Sequence, residues 1–519
     1  MTDSTTTNQI LDQENRYGHH FRTEHLRNDI KIRSIHGGLV TLLAQISKFV
    51  LQLASTMVLA RLLTPSDFGL VAMVFAITSF VSMFKDAGLS MATIQRAEIN
   101  HAQISMLFWI NLGISALLML VTAALAPAIV WFYKEPKLAW ITVATACTFI
   151  FGGLTIQHQA LIRRQMRFTV LAVIQVVSMA IGIVAAISFA IITRSYWSLV
   201  VMPAAASLGN AVMVWIFCDW RPSMPRRNTG VRPMIKFGIN KMAGTALWYF
   251  NRNIYGISIG RVFGSELLGI FSKAQNLMVM MLRKVNTPLY SVSFPALSAL
   301  QYQHKEFRDY YKKAIGMMAF ISMPVAVFLI AATEHIVLAL LGSQWIKSIP
   351  VCRALGPAAF LGTISLAIAC VIVPFGKPER EWKIKAAALV LHLVAISIGI
   401  KWGIVGAAYA LSTTELIIFI PNHLYAFRNT PVRFSDLIAA IWQASVCSSI
   451  SGIMIFLISQ KTLDLHLHHG LSLMLISVTF IGIYFGIFLV LPGGKVKLKG
   501  LWTVFRKISN KQRKGLWAR

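Results

Sequence analysis

Apolar runs of about 20 residues, each closed by a short polar connection, recur along almost the whole chain, and a run of that length crosses the roughly 30 Å hydrocarbon layer of a bilayer as one helix. In the first half they fall near 38–62, 68–85, 105–132, 138–161, 170–192 and 197–217. The second half gives runs near 240–263, 267–299, 313–333, 350–375, 384–400 and 402–427, and two more follow near 438–459 and 471–491. The pattern predicts an all-α polytopic membrane protein with about 14 transmembrane helices. The eighth run is longer than a bilayer is thick, and the loops expected outside are short, with no room for a soluble catalytic domain.

A polar segment, DWRPSMPRRNTGVRPMIK at 219–236, interrupts the series after six runs. It divides the chain into an N-terminal tail (1–36), an N-lobe of helices one to six (37–217), a linker (218–239), a C-lobe of helices seven to twelve (240–427), two further helices (428–491) and a basic tail (492–519). The halves echo each other. Lys48 to Gly69 places a lysine inside an apolar helix, ends that helix on Arg61 and turns at Thr64-Pro65; Trp248 to Gly269 places Arg252 inside a helix, ends it on Arg261 and turns at Phe263-Gly264. Arg61 to Gly69 and Arg261 to Gly269 have the same spacing. Because six helices precede the linker, the first and seventh enter the membrane in the same direction. The expected architecture is therefore a parallel repeat, two pseudo-symmetric six-helix lobes about an axis along the membrane normal, plus the two C-terminal helices.

Composition agrees. Of 519 residues 56% are hydrophobic and 13% charged, and mean hydropathy is +0.64, whereas a soluble globule carries about 25% charge. The formal net charge of +30 would suggest nucleic acid in a soluble protein, but here the basic residues lie between membrane runs, so nucleic-acid binding is not expected. Most of the Lys and Arg fall on one side if the N-terminus is cytoplasmic, which places both termini inside and lays the tail Lys495 to Arg519 on the anionic inner leaflet. Residues 1–36 contain no apolar h-region of a signal peptide. Five scattered cysteines, Cys147, Cys218, Cys352, Cys370 and Cys447, lack CxxC spacing and read as packing residues.

No phosphate-binding loop, HExxH or GxSxG motif occurs, so neither an enzyme nor an ATP-driven pump is expected, and no cofactor. Asp464, His466, His468 and His469 cluster in the last outside loop; a solvated turn accounts for them better than a metal site. The informative residues are charges inside the runs: Lys48, Arg252, Lys273, Arg283, Lys284, Arg353 and Glu415, with Asp86 near a helix end. A charge at mid-bilayer costs at least about 2.5 kcal/mol on insertion scales, so it faces a wet cavity or a partner. Six of these seven are cationic. Gln45, Lys48, Gln52 and Ser55 share one helix face, as do Thr245, Trp248, Arg252 and Tyr255 with an offset of 200. Such stripes serve either as hydrogen-bonded seams between helices or as cavity walls. Arg283 and Lys284 can equally snorkel to headgroups, and Arg353 opens its run. A cationic cavity takes an anion, and Trp248, Tyr249, Tyr255 and Trp345 offer flat faces of the kind that stack on sugars. The residues alone point to a secondary transporter or flippase for an anionic, sugar-bearing molecule.

The chain resembles the Wzx-type polysaccharide repeat-unit flippases (lipopolysaccharide, colanic acid and capsule exporters) of the multidrug/oligosaccharidyl-lipid/polysaccharide exporter superfamily. The resemblance rests on LARLLTPSDFGLVAM at 59–73, DAGLSMATIQR at 86–96, LFWINL at 107–112, LIRRQMRF at 161–168, IGRVFGSELLGIFSKAQ at 259–275, FPALS at 294–298 and GIVGAAYAL at 403–411. It implies alternating access and a substrate of undecaprenyl pyrophosphate bearing an oligosaccharide, turned to the outer leaflet of a bacterial plasma membrane among membrane lipids, with polymerase and export machinery as partners. On this expectation the pyrophosphate docks on Lys48 and Arg252 with help from Lys273, Arg283 or Arg353, beside Gln45, Gln52, Trp248 and Tyr255. Arg61 with Asp67 and Arg261 with Glu266 form an outer gate or anchor at headgroups. Glu415 or Asp86 carries a coupling proton or sodium ion, or neutralises a neighbouring cation. The alternatives are a multidrug antiporter, which wants acids in its cavity, and a non-transporting scaffold of a glycan assembly complex.

Overall fold

The computed structural model describes residue 21 and residues 30–86, 88–96, 98–225, 232–464, 469–492 and 494; at 30–35, 232–248, 280–281, 283–284, 378, 461–464 and 469 it describes the backbone alone. The described residues form helices and connections with no strand, and the chain divides into two compact units, Met1–Gly269 and Ile270–Arg519.

The first unit opens with α1 (Ile30–Leu62), α2 (Pro65–Ser82), α3 (Leu89–Gln95), α4 (His101–Ala124), α5 (Ala126–Tyr133), α6 (Leu138–Arg164), α7 (Phe168–Thr193) and α8 (Trp197–Phe217). Local chemistry sets several of these bounds. At the start of α2 the Thr64 side chain accepts the Asp67 N–H, Asp67 accepts the Thr64 N–H, and Pro65 occupies the first turn, where its missing N–H costs nothing. Asn100 and Gln103 make the same reciprocal cap on α4. Helix α1 packs on α7, α7 on α8, and α6 on both α4 and α8. Leu89, Ile104, Leu107, Phe108, Leu161, Ile174 and Trp220 form a buried core beneath them. Exposed faces are apolar, as lipid contact requires: Leu120, Val184 and Ile192 are among the exposed large residues.

A long helix, α9 (Arg232–Gln275), completes the first unit as far as Gly269, but it is not one straight rod. Gly264 sits at φ 80, ψ −170, outside the helical region and accessible to glycine alone at low cost. Beyond it the chain reverses. A Cβ on Gly260 would lie 3.0 Å from Leu268 and one on Gly256 3.8 Å from it, whereas residues 12 apart on a straight helix stand about 18 Å apart.

The second unit continues α9 through a π-helical turn (Asn276–Met280) into α10 (Met281–Ala299), then α11 (His304–Ala331), α12 (Thr333–Leu340), α13 (Ser348–Ala354), α14 (Gly356–Gly362), α15 (Leu366–Ile372), α16 (Pro378–Gly399), α17 (Gly403–Phe427), α18 (Phe434–Asp464) and α19 (His469–Val490). Its core gathers Leu297, Phe307, Tyr311, Met318, Ile372 and Leu437. The two C-terminal helices pack within this unit, α18 on α11 and α19 on α12 and α18, with the Tyr484 hydroxyl donating to the Phe320 carbonyl at 2.9 Å.

Among the described residues eleven helices are long and apolar enough to cross a membrane, or twelve if α13 with α14–α15, bent by 47°, is one crossing. This is a multi-span membrane protein, but the expected count of 14 is not reproduced. The continuous runs Tyr249–Val279 and Glu379–Phe427 each contain a bend at a glycine of positive φ, Gly264 and Gly403, where the sequence places the boundary between two expected runs. The run Glu379–Phe427 has 49 residues, about 74 Å if straight. It folds instead, α16 packing along α17 with Gly399 against Gly406 and Ala410.

Candidate functional site

Lys48, Gln52 and Ser55, three members of the polar stripe on α1, open onto a cavity of about 520 Å³ inside the first unit. The facing walls come from Gly152, Thr155 and Gln159 of α6, Gln175 and Ser178 of α7, and Ser207 and Asn210 of α8, interleaved with Phe151, Met179, Ile183 and Met202. Helices α7 and α8 can approach this closely because Gly182 has no side chain; a Cβ there would lie 2.5 Å from the Met202 carbonyl. Pro203 in α8 leaves a helical carbonyl without its N–H donor on the same wall.

The polar groups of the cavity are already ordered. Lys48 Nζ donates to Gln175 Oε1 at 2.8 Å, and Gln159 Nε2 donates to Asn210 Oδ1 at 2.8 Å. The Ser55 hydroxyl donates to the Gln52 carbonyl and that of Thr155 to the Gly152 carbonyl. Among the described residues lining the cavity there is a lysine and no carboxylate. Such a wall solvates an anion with N–H and O–H donors and one ammonium, and offers a cation no charge partner. Gln45 is exposed on α1, away from this wall.

Six of the amides and hydroxyls, Thr155, Gln159, Gln175, Ser178, Ser207 and Asn210, are not marked by the charge pattern of the sequence. An amide inside an apolar run is itself a signal, because it must find a polar partner in a bilayer. Lys85 was also missed. Its Nζ lies over the Phe149 ring at 5.0 Å, and a Cβ on Gly152, which lines the cavity, would stand 3.0 Å from that nitrogen.

The remaining candidates separate into other settings. Arg252 is half-buried on α9, one turn from buried Tyr249 and Tyr255; the Tyr249 hydroxyl donates to the Ala76 carbonyl of α2. In the second unit Lys273 faces the fully buried Trp345 ring at 5.9 Å. Tyr249, Tyr255 and Trp345 are thus packed among neighbours. Arg353 pairs with Glu334 at 3.2 Å and lies over Phe456 at 5.8 Å. Glu415 of α17 stands 3.8 Å from His392 of α16, whose ring is buried. Asp86 accepts the Ser90 N–H at 2.9 Å and the Ser90 hydroxyl, and so caps α3. The side chains of Trp248, Arg283, Lys284, Asp464 and His469, and all of His466 and His468, lie outside the described residues. No group of three His, Cys, Asp or Glu suited to a metal occurs among the described residues, and all five cysteines are free.

The two related turns meet within the first unit. A Cβ on Gly69 would overlap the Ser265 carbonyl, one on Gly269 would overlap the Pro65 carbonyl, and the Ser66 and Ser265 hydroxyls are 2.8 Å apart. With the repeat offset of 200, position 65 corresponds to 265 and 69 to 269. The contact is therefore reciprocal, as across a two-fold axis. Asp67 is engaged with Thr64, and the Arg261 guanidinium lies over Phe132 at 5.7 Å; Arg61 and Glu266 are exposed.

The helices, the glycine breaks and the polar cavity of the first unit are those of a polytopic helical membrane protein. The solved lipid II flippase MurJ, in an inward closed conformation, superimposes with a TM-score of 0.68 over 87% of this chain and 98% of its own, at 14% identity. Residues 58–350 match the family described as Polysaccharide biosynthesis protein, and the chain belongs to that family. It is similar to the teichuronic acid biosynthesis protein TuaB of Bacillus subtilis, 22% identical over 80% of this chain and 86% of that protein. It is equally similar, at 22%, to the lipopolysaccharide biosynthesis protein WzxC of Escherichia coli over 77% and 81% of the two chains. The fold is the one seen in the solved MurJ structure.

Proposed function

We propose that this protein is a flippase that carries undecaprenyl-pyrophosphate-linked oligosaccharide repeat units from the inner to the outer leaflet of a bacterial plasma membrane for polysaccharide synthesis, with both termini cytoplasmic. One observation carries the reading: a membrane-embedded cavity walled by amides, hydroxyls and Lys48, with no carboxylate among its described lining residues. In a low-dielectric surrounding an ammonium and several neutral donors bind a phosphate group strongly while leaving the hydroxyl-rich glycan exchangeable partners. The same wall disfavours an organic cation and so speaks against a multidrug antiporter. The relatives' names and the MurJ-like fold support the same direction.

In this mechanism the lipid phosphate docks near Lys48, with Arg252 a further contact, and the glycan follows through the wet interior while the prenyl chain stays in lipid. The crossing of α2 and α9 at Gly69 and Gly269 is the outer gate, which parts to release the product. The gate can be tested with Ser66→Cys and Ser265→Cys together. A disulfide should form, since the parent hydroxyls already touch, and export should stop on oxidation and resume on reduction. Coupling is assigned to Glu415 beside His392, 3.8 Å apart across α16 and α17; Asp86, committed to Ser90, serves the fold. The membrane polymerase and export machinery receive the product.

The experiment is a leaflet-accessibility assay. On depletion of the protein, lipid-linked glycan should accumulate where only an inside-acting glycan oxidant or lectin reaches it; glycan accumulating on the outside instead would place the block after translocation and remove the flippase reading.

A further inference from the structure

The hairpin of α16 and α17 in the second unit carries a cavity of about 480 Å³ that the transport path has no use for. Its origin is local. At the turn the two backbones touch: a Cβ on Gly399 would lie 2.6 Å from the Ala410 Cβ and 2.7 Å from the Gly406 carbonyl, and one on Gly406 would overlap the Gly399 carbonyl. Away from that crossing the lining positions include the small Ala395 of α16 and Thr413 and Thr414 of α17, so the helices leave a trough between them. Both threonine hydroxyls are turned back onto their own helix, Thr413 donating to the Tyr409 carbonyl at 2.9 Å and Thr414 to the Ala410 carbonyl at 2.8 Å. The walls are therefore hydrocarbon, and no charged side chain occurs among the described lining residues. On α17 these run from Gly406 to Ile417, about 17 Å along the helix axis. That length is close to one leaflet, half of a hydrocarbon layer about 30 Å thick.

The turn end of the trough has a different chemistry. Trp402 lines it and is 70% exposed, and the neighbouring Lys401 is exposed as well. Lys401 enters none of the ion pairs among the described residues. An indole and an ammonium at the membrane boundary are groups that meet a lipid phosphate.

We propose that the trough holds one acyl chain of an anionic phospholipid whose phosphate sits at Lys401 and Trp402. On the orientation proposed above the turn is outside, so this lipid belongs to the outer leaflet. A straight chain supplies the dispersion contacts that an unfilled trough forfeits, and it sets the spacing of the two helices. The occupant is not the transported molecule, since an undecaprenyl tail is far longer than the trough and the cavity assigned to its phosphate is in the first unit.

The test uses the full-length protein in nanodiscs of phosphatidylcholine, doped with phosphatidylglycerol or phosphatidylcholine carrying the same photoactivatable diazirine on one acyl chain, with adducts mapped by peptide mass spectrometry. Both probes should label Val394, Ile398 and Ile417 above Leu120, Val184 and Ile192, exposed apolar residues of the first unit that serve as the bulk-lipid reference. Phosphatidylglycerol should label the trough about fivefold more than phosphatidylcholine does, the scale of one basic side chain at an anionic lipid surface. Lys401→Gln should equalise the two probes and leave the trough labelled. Thr413→Phe, which adds a ring at an exposed position of the trough, should lower labelling there to the reference level for both probes, and Ala395→Leu on the opposite wall should do the same. Trough labelling no higher than the reference in the wild type would mean bulk lipid only and overturns the proposal. So does labelling unchanged by Thr413→Phe and Ala395→Leu in proteins that elute and melt like the wild type, or a phosphatidylglycerol preference that survives Lys401→Gln. Undecaprenyl phosphate displacing the probe better than unlabelled phosphatidylglycerol would give the trough to the transported lipid instead. None of these readouts requires translocation, so failure of the flippase reading leaves them unchanged.

Discussion

In the first unit Lys48 meets the amide oxygen of Gln175 on a wall of amides and hydroxyls; in the second, Arg353 meets Glu334, Arg308 meets Asp436 at 2.6 Å, and Lys385 meets Glu381. The two settings show how one residue type does two jobs in a membrane protein. A carboxylate neutralises its cation, and the pair becomes a fastener between helices, as where Asp436 of α18 also draws Lys312 of α11 to 3.7 Å. An amide orients an ammonium without cancelling its charge. Position inside an apolar run does not distinguish these cases; the chemistry of the partner does.

The comparison can be broken by exchanging the partners. Gln175→Glu would give Lys48 the carboxylate typical of the second unit, and glycan translocation should fall about tenfold or more at equal expression, with melting temperature kept or raised. The converse change acts on the fold. Asp436→Asn should release Arg308 and Lys312 and lower the melting temperature by about 4 °C, with a smaller effect on transport per folded molecule. Smallest of all should be the double change Arg353→Gln with Glu334→Gln, which removes both members of a pair; transport should stay within about twofold of wild type, since removing both partners leaves no orphaned charge. A tenfold loss from that double change would move Arg353 into the substrate path.

Much of the architecture was legible because the bilayer demands long apolar helices and punishes every charge within them. The repeat was legible too: the equal spacings that ended on Gly69 and Gly269 proved to be the two sides of one reciprocal helix crossing. The bends at Gly264 and Gly403 were legible as well, since the expected runs end at 263 and 400. Lys48 could be found from its helix phase. Its surroundings could not, since Gln159, Gln175 and Asn210 come from three other helices and only packing brings them to one wall. The same limit hid the partner of Arg353, because Glu334 lies 19 residues away in the first turn of α12.

The most direct measurement is translocation of a lipid-linked oligosaccharide across proteoliposomes containing equal amounts of purified wild type, Lys48→Arg and Lys48→Gln. Lys48→Arg should retain most of the wild-type rate and Lys48→Gln should fall to the level of protein-free vesicles. Wild-type flipping by correctly folded Lys48→Gln would contradict the claim that the cavity of the first unit receives the phosphate.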